Sequence, residues 1–337
     1  MASSDTGRWA RPLVVVLGAS GFVGSVVTAA LADRPVRLRA VARRPSAVPT
    51  GCLADVEVRR ADLTQSARLA DAVEGADAVI HLVAGGVYGP GRGGEADAER
   101  VNVGVMASLL DAMRGRRRPG PPPAVLFAGA IHQVGVPPRT VLDGSEPDAP
   151  SDPFGRHKHA AERMLLDATA EGAVRGVSLR LPTLYGHSPA TGALGGGALA
   201  VMIRRALADE PLTLWGDGTV RRDLLHVRDA AAAFLAALDH VGPLAGRHWL
   251  LGTGEGVPLE RVFGCVAEIA AACRGGRPVP VRRVPPPPHA GPADLASVVV
   301  DASAFRGRTG WRPSVRLREG LEQTVMAAMR PARPAAK

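Results

Sequence analysis

Leu13-Val14-Val15-Val16-Leu17 runs straight into Gly18-Ala19-Ser20-Gly21-Phe22-Val23-Gly24, and an apolar stretch of helical character continues to Ala32. Five apolar residues in a row predict a buried strand, and the glycines after them predict a tight turn into a helix. In that order the three pieces make a site for the pyrophosphate of a dinucleotide. The first glycine permits the turn, the second lets the backbone approach the phosphates, and the third packs the helix on the strand. The helix N-terminus then faces the anion. Gly18, Ser20, Gly21, Phe22, Val23 and Gly24 are the expected lining.

Outward from this stretch, strand and helix signals alternate. Strands are expected at Leu13–Leu17, Val36–Val41, Val56–Val58, Ala78–Val83, Val125–Ala128 and Val177–Leu181, with helices at Phe22–Ala32, Ala67–Val73, Glu95–Met113 and Phe154–Ala170. Short apolar strands separated by helices predict an α/β fold, a doubly wound (Rossmann) parallel sheet covered on both faces. The pattern then changes. Helices are expected at Gly195–Ala208, Val227–Leu238 and Leu259–Cys273, short strands at Leu212–Trp215 and Trp249–Leu251, and an extended surface loop at Pro285–Pro288. A dinucleotide-binding domain over 1–185 and a smaller, intertwined substrate-binding domain over 186–330 are the expected organisation. On Glu95–Met113 one apolar stripe holds Val103, Met106, Leu110 and Met113, and another holds Val101, Val105 and Ala112. One stripe can face the sheet. The other calls for a homodimer through this helix and Phe154–Ala170, or for cover from within the chain.

The net charge of +9 raises nucleic-acid binding as a possibility, but the arginines are scattered in pairs such as Arg43-Arg44, Arg204-Arg205 and Arg221-Arg222. The one cluster, Arg114-Gly-Arg116-Arg117-Arg118, runs into a proline-rich loop. No nucleic-acid partner is expected. Lysine occurs only at Lys158 and Lys337, so the internal lysine stands out. Cys52, Cys265 and Cys273 have neither metal spacing nor a disulfide framework, and no early apolar run is long enough for a signal or a membrane span. A reduced, cytoplasmic protein without a metal or a membrane partner is the expectation.

The end of the second strand separates the two nicotinamide dinucleotides. An acidic residue there would hold a ribose 2′-hydroxyl, but the chain reads Val41-Ala42-Arg43-Arg44-Pro45. Arg43 and Arg44 suit a 2′-phosphate and so NADP(H), unless they are a solvated loop pair. Asp62, followed by Leu63, either meets the adenine or caps the next helix. Beyond His81, Leu82, Val83 and Ala84 either line the cofactor with backbone or simply end a buried strand.

Together with Pro153-Phe154-Gly-Arg-His-Lys158, these motifs resemble the extended short-chain dehydrogenase/reductase family over nearly the whole chain. Leu179-Arg180-Leu181-Pro182-Thr183-Leu184-Tyr185-Gly186 is similar to the family's segment beside the nicotinamide, which implicates Leu181 and Pro182. Gly216-Asp217-Gly218 with Arg221-Arg222-Asp223-Leu-Leu-His226-Val227-Arg-Asp229, and Thr309-Gly310-Trp311-Arg312-Pro313, match its later signatures. Within the family the chain resembles nucleoside-diphosphate-hexose 4-ketoreductases of deoxysugar biosynthesis. That resemblance implies hydride delivery to the C4 ketone of a 6-deoxy-4-ketohexose held as its nucleoside diphosphate. Arg222 would then pair with the diphosphate, or else with Asp223 or Asp229 in a salt bridge. Trp215 would cover the base, or else sit in the core.

Two groups depart from the family pattern. The segment that carries Lys158 calls for a proton-donating tyrosine where Phe154 stands, and Ala130 stands where a serine or threonine hydrogen-bonds the carbonyl oxygen. Loss of a general acid costs about 10²–10⁴ in rate, and loss of an oxyanion donor about 10²–10³. His132, two residues past Ala130, and Tyr88, in the loop after the fourth strand, are the candidate replacements; Tyr185 belongs to a segment where the family also has tyrosine and is expected to be structural. Ile131-His132 lacks the carboxylates of a 4,6-dehydratase, and Phe154 disfavours a tyrosine-dependent 4-epimerase. The expectation is an NADPH-dependent ketoreductase with a non-standard proton donor. The alternatives are a catalytically silent binder of cofactor or partner and a non-redox member of the fold.

Overall fold

The computed structural model describes residues 11–85, 94–114, 120–188, 192, 194–288 and 290–329. Its main sheet has seven strands in the order Arg247–Leu250, Arg175–Leu181, Ala124–Ala130, Ala78–His81, Leu13–Leu17, Arg37–Ala42, Asp55–Arg60. Leu13–Leu17 lies between two parallel neighbours, with Val15 opposite Arg39 on one side and Val79 on the other. The doubly wound α/β architecture read from the sequence is therefore the observed one. The buried cation that this register places in a strand, Arg39, is satisfied by Glu57 at 2.7 Å and by the carbonyls of Ala72 and Glu74 at 3.0 and 2.8 Å. The apolar segment expected as a late, separate strand at Trp249–Leu251 is instead the edge strand Arg247–Leu250 of this sheet.

The chain divides into two compact units, both discontinuous: residues 1–129, 157–179 and 234–248, and residues 130–156, 180–233 and 249–337. In the first, Val15, Leu17, Phe127, Met106, Leu109 and Leu165 share one buried core. Each such apolar side chain contributes about 1.5–3 kcal/mol relative to exposure. In the second, Ile203, Leu212, Phe263, Val266, Leu321 and Val325 pack together. Its strands include Thr183–Tyr185 and Arg221–His226, paired in parallel, and Gly256–Pro258, antiparallel to the latter. The polar start of Arg221–His226 hides it from a hydrophobicity reading. Asp223 there is buried because four donors hold its carboxylate: the Thr253 amide and hydroxyl and the amides of Gly254 and Val300, at 2.8–3.1 Å.

The expected single helix Glu95–Met113 is three pieces, Glu95–Glu99, a π-helical turn Arg100–Gly104, and Val105–Arg114. A π-turn adds a residue per turn and so rotates the helix beyond it. The two predicted stripes accordingly do not stay apart: Val105 is as buried as Met106, Leu110 and Met113, in the same core. Val101, Val103 and Ala112 are left half-buried. Of the stripe that argued for a partner, Val105 is thus covered within the chain. Among the described residues, no helix is long and apolar enough to cross a membrane.

Candidate cofactor and active site

The glycine turn does what the sequence asks of it. Gly18 has φ +88°, and its amide donates to Val41 O at 2.9 Å while Gly21 N reaches back to Gly18 O at 2.9 Å. A Cβ on Gly18 would sit 3.0 Å from the Leu82 carbonyl carbon and 3.1 Å from Val83 N, so the turn is pressed against the end of Ala78–His81. A Cβ on Gly24 would overlap the Gly18 carbonyl oxygen. The helix Phe22–Ala32 therefore starts as close to the strand as backbone permits. Its N-cap, Gly21, has no side chain to cap the first turn, and a helix start of this kind can receive an anion. These residues fit the pyrophosphate of a dinucleotide, with Ser20, Phe22 and Val23 half-buried around the turn.

Arg43 and Arg44 are both exposed just past the end of Arg37–Ala42. Asp62 Oδ1 accepts from the Thr64 amide at 3.1 Å and the Thr64 hydroxyl at 2.8 Å, which holds its carboxyl below the usual range. This turn leads into the helix Ser66–Val73, whose N-cap is Gln65. Leu63 is buried in the core. Leu82 and Val83 are half-buried and Ala84 is exposed, and Leu82 N donates to Leu17 O at 2.9 Å. Asn102, from the π-turn, clamps Gly85 through both amide atoms, at 2.9 and 3.1 Å. Its buried side chain holds the backbone at Gly85. The sequence reading missed that role, because a lone asparagine in a helical stretch announces no partner.

Lys158 is buried, and its ammonium donates to Ala128 O at 2.8 Å and lies 4.7 Å from the centre of the Phe127 ring. Burial lowers its pKa to about 8. His81, fully buried and packed edge-on to Phe127, is lowered to about 3, first by burial and then by the Lys158 charge, and it stands as the neutral imidazole. Its Nδ1 accepts from Val83 N at 3.3 Å.

In the second unit, Ala130 ends its strand buried, and its amide donates to Gln133 Oε1 at 3.0 Å. The chain then makes a 3₁₀ turn, Ile131–Val134. His132 projects from it: its Nδ1 is 3.3 Å from Asp152 Oδ2, and its ring packs on Phe154 with centroids 5.7 Å apart at 86°. Asp152 also caps the helix Pro153–Ala170, with Oδ1 accepting from Gly155 N at 2.9 Å and proline in the first position. The backbone past Ala130 is thus a turn and not a continued strand, and it brings His132 against Phe154. Asp152 was not foreseen. The Asp-Pro pair announces a cap, but nothing in the sequence places its second oxygen.

Arg222 is half-buried and donates to the carbonyls of Arg221, Asp294 and Ala296; burial lowers its pKa, against the pull of the nearby Asp294 carboxylate. Neither carboxylate weighed as its salt-bridge partner holds it. Asp223 is bound as described above, and Asp229 accepts from the Ser314 and Val315 amides at 3.0 Å each. Trp215 is 36% exposed and outside the core. Leu181 and Pro182 are buried. Tyr185 is buried against His226, and burial raises its hydroxyl pKa further. Tyr88 lies outside the described residues.

The sequence model of the NAD dependent epimerase/dehydratase family matches residues 14–252. A dTDP-6-deoxy-L-talose 4-dehydrogenase (NAD(P)(+)) of Kitasatospora kifunensis is 27% identical, over 92% of this chain and 93% of that one. A UDP-glucose 4-epimerase of Thermotoga maritima, solved with UDP-glucose, shares the fold at a TM-score of 0.78 and 22% identity, covering 94% of this chain and 98% of that chain. MoeE5, solved with UDP-glucuronic acid and NAD, matches at a TM-score of 0.77 and 27% identity with the same coverage of both chains.

Proposed function

The chain belongs to the NAD dependent epimerase/dehydratase family, and from that premise we propose that it is an NADPH-dependent ketoreductase acting on a nucleoside-diphosphate 4-keto-6-deoxyhexose. The observation that carries this reading is a tight glycine turn that fits a pyrophosphate, together with a retained, buried Lys158 one helical turn from a phenylalanine on which an imidazole rests. The relative from Kitasatospora, whose name gives a 6-deoxyhexose nucleotide as substrate and oxidation at C4 as reaction, supports the substrate class.

With its pyrophosphate at the glycine turn, a bound NADPH would supply the hydride for the C4 carbon. Gly18, Gly21 and Gly24 would bring backbone to its pyrophosphate, and Arg43 and Arg44 would meet a 2′-phosphate. Asp62 and Leu63 would flank the adenine, and the backbone of Leu82, Val83 and Ala84, with Leu181 and Pro182, would border the rest of the cofactor. Lys158 would hold the ribose hydroxyls by its ammonium. Arg222 would exchange its carbonyl partners for the two phosphates of the sugar nucleotide, a stronger charge-assisted interaction, and Trp215 would cover the base. The alkoxide that develops at C4 needs a proton, and His132 would give it; Tyr88 is the other candidate.

The loss of both hydroxyls, at Phe154 and Ala130, favours a second reading in which the protein binds cofactor and nucleotide sugar without turnover. Consumption of NADPH with a 4-keto-6-deoxyhexose nucleotide separates the two. Turnover by the parent chain supports the reductase. Silence in the parent, with activity gained by Phe154→Tyr/Ala130→Ser, supports the binder.

A further inference from the structure

We propose that Asp152 is the positioning residue of a His132–Asp152 pair that gives the substrate oxygen its proton in place of the absent tyrosine hydroxyl. The proposal rests on the reductase reading and assigns the residue that makes His132 competent.

Two contacts hold the imidazole, and a third holds the backbone that carries it. The Asp152 carboxylate is held at both ends, Oδ1 by the Gly155 amide at 2.9 Å and Oδ2 by His132 Nδ1 at 3.3 Å. The helix start that carries Asp152 is locked to the backbone of His132, since a Cβ at Gly155 would fall 2.6 Å from the His132 carbonyl oxygen. The Phe154 ring packs edge-on against one side, its centroid 5.7 Å from that of the imidazole and nearly perpendicular to it, and the His132 side chain stays 52% exposed. Carboxylate and ring come from one segment, residues 152–155, and act on the His132 side chain, while the Gly155 backbone of the same segment packs on the His132 carbonyl.

The chemistry is set by the carboxylate. When ionised it only accepts hydrogen bonds, so the proton of the neutral ring must sit on Nδ1. Nε2 is then the atom that takes up and gives away a proton. In the reduction, hydride adds to C4, the C=O π electrons move to oxygen, and the Nε2 proton of the imidazolium goes to that oxygen. The ring is left neutral with Nδ1–H on Asp152 and is recharged by a proton from water. The nicotinamide is the species oxidised and the ketone the species reduced, so the sum is ketone, NADPH and one proton to alcohol and NADP⁺. At 3.3 Å the Nδ1 contact is longer than a closed charge-assisted bond, and such contacts tighten when substrate excludes water.

Asp152→Asn tests this while keeping the helix start, because asparagine caps as well as aspartate. Its amide NH₂ would face Nδ1 and favour the opposite tautomer. Nitrogen-15 NMR of His132 in the full chain should show the neutral ring protonated on Nδ1 in the parent and on Nε2 in the variant. In steady state the variant should lose about tenfold in kcat, a modest part of what a general acid supplies. KM for NADPH and for the nucleotide sugar should stay within about twofold, since uniform binding is untouched. The loss should vanish when the substitution is made on His132→Ala. An unchanged tautomer, or an equal loss with and without His132, overturns the pair and leaves Asp152 as a helix cap only. A parent that shows no turnover overturns the reductase reading by itself, and the tautomer then decides whether the pair is formed.

Discussion

Lys158→Met should make the cofactor-free protein more stable near pH 7 and less able to bind NADPH. The lysine is 4% exposed, and burial takes its pKa from 10.5 to about 8. At roughly 1.4 kcal/mol per pH unit, keeping the ammonium charged in the folded state costs about 3 kcal/mol. Removing it leaves the Ala128 carbonyl without its donor, which costs about 1–2 kcal/mol. The net gain is about 1–2 kcal/mol. The pH dependence identifies the cause. Below the folded pKa of about 8 both the folded and unfolded parent carry the charge, so the gap between parent and variant is constant. Between there and 10.5 the unfolded chain binds more protons than the folded one, and the parent gains stability as pH rises. The gap should therefore close over that window. Urea unfolding of both proteins from about pH 7 to about pH 10 measures it. A gap that does not change with pH would show that the buried ammonium is not what the substitution relieves.

NADPH should bind at least about tenfold more tightly than NADH, and Arg43→Ala/Arg44→Ala should erase most of the difference, since a charge-assisted bond contributes about 1.5–3 kcal/mol; equal affinities in the parent remove the basis for the claim. Arg222→Lys should raise KM for the nucleotide sugar about tenfold with little change in kcat, because a lysine cannot reproduce the planar fork; an unchanged KM would remove Arg222 from the diphosphate. We propose a homodimer through the helices around 95–114 and 153–170, now on the narrower basis of the half-buried Val101, Val103 and Ala112; light scattering that returns a monomer mass at micromolar concentration refutes it.

The first half of the fold was legible because its signals are local. An unbroken apolar run before closely spaced glycines reads as a buried strand entering a tight turn, and in the structure Gly24 packs where no Cβ fits. The second half was legible in its helices and poorly in its strands. Arg221–His226 begins with three charged residues, and its place depends on donors from residues 253, 254 and 300, which no local pattern announces. The break in Glu95–Met113 escaped for a related reason: a π-turn has no periodicity of its own, so the register of the two stripes was carried through it. At the site, Phe154 and Ala130 stood out as departures because the surrounding motif was intact. The pairing of His132 with Asp152 spans twenty positions of sequence and needed the fold.

The most direct test of the reductase reading is single-turnover oxidation of NADPH by the parent protein, mixed with a nucleoside-diphosphate 4-keto-6-deoxyhexose, beside His132→Ala and Tyr88→Phe. We expect oxidation in the parent, a loss of at least about tenfold in His132→Ala, and an unchanged rate in Tyr88→Phe. No oxidation in the parent, with oxidation appearing in Phe154→Tyr/Ala130→Ser, would contradict it.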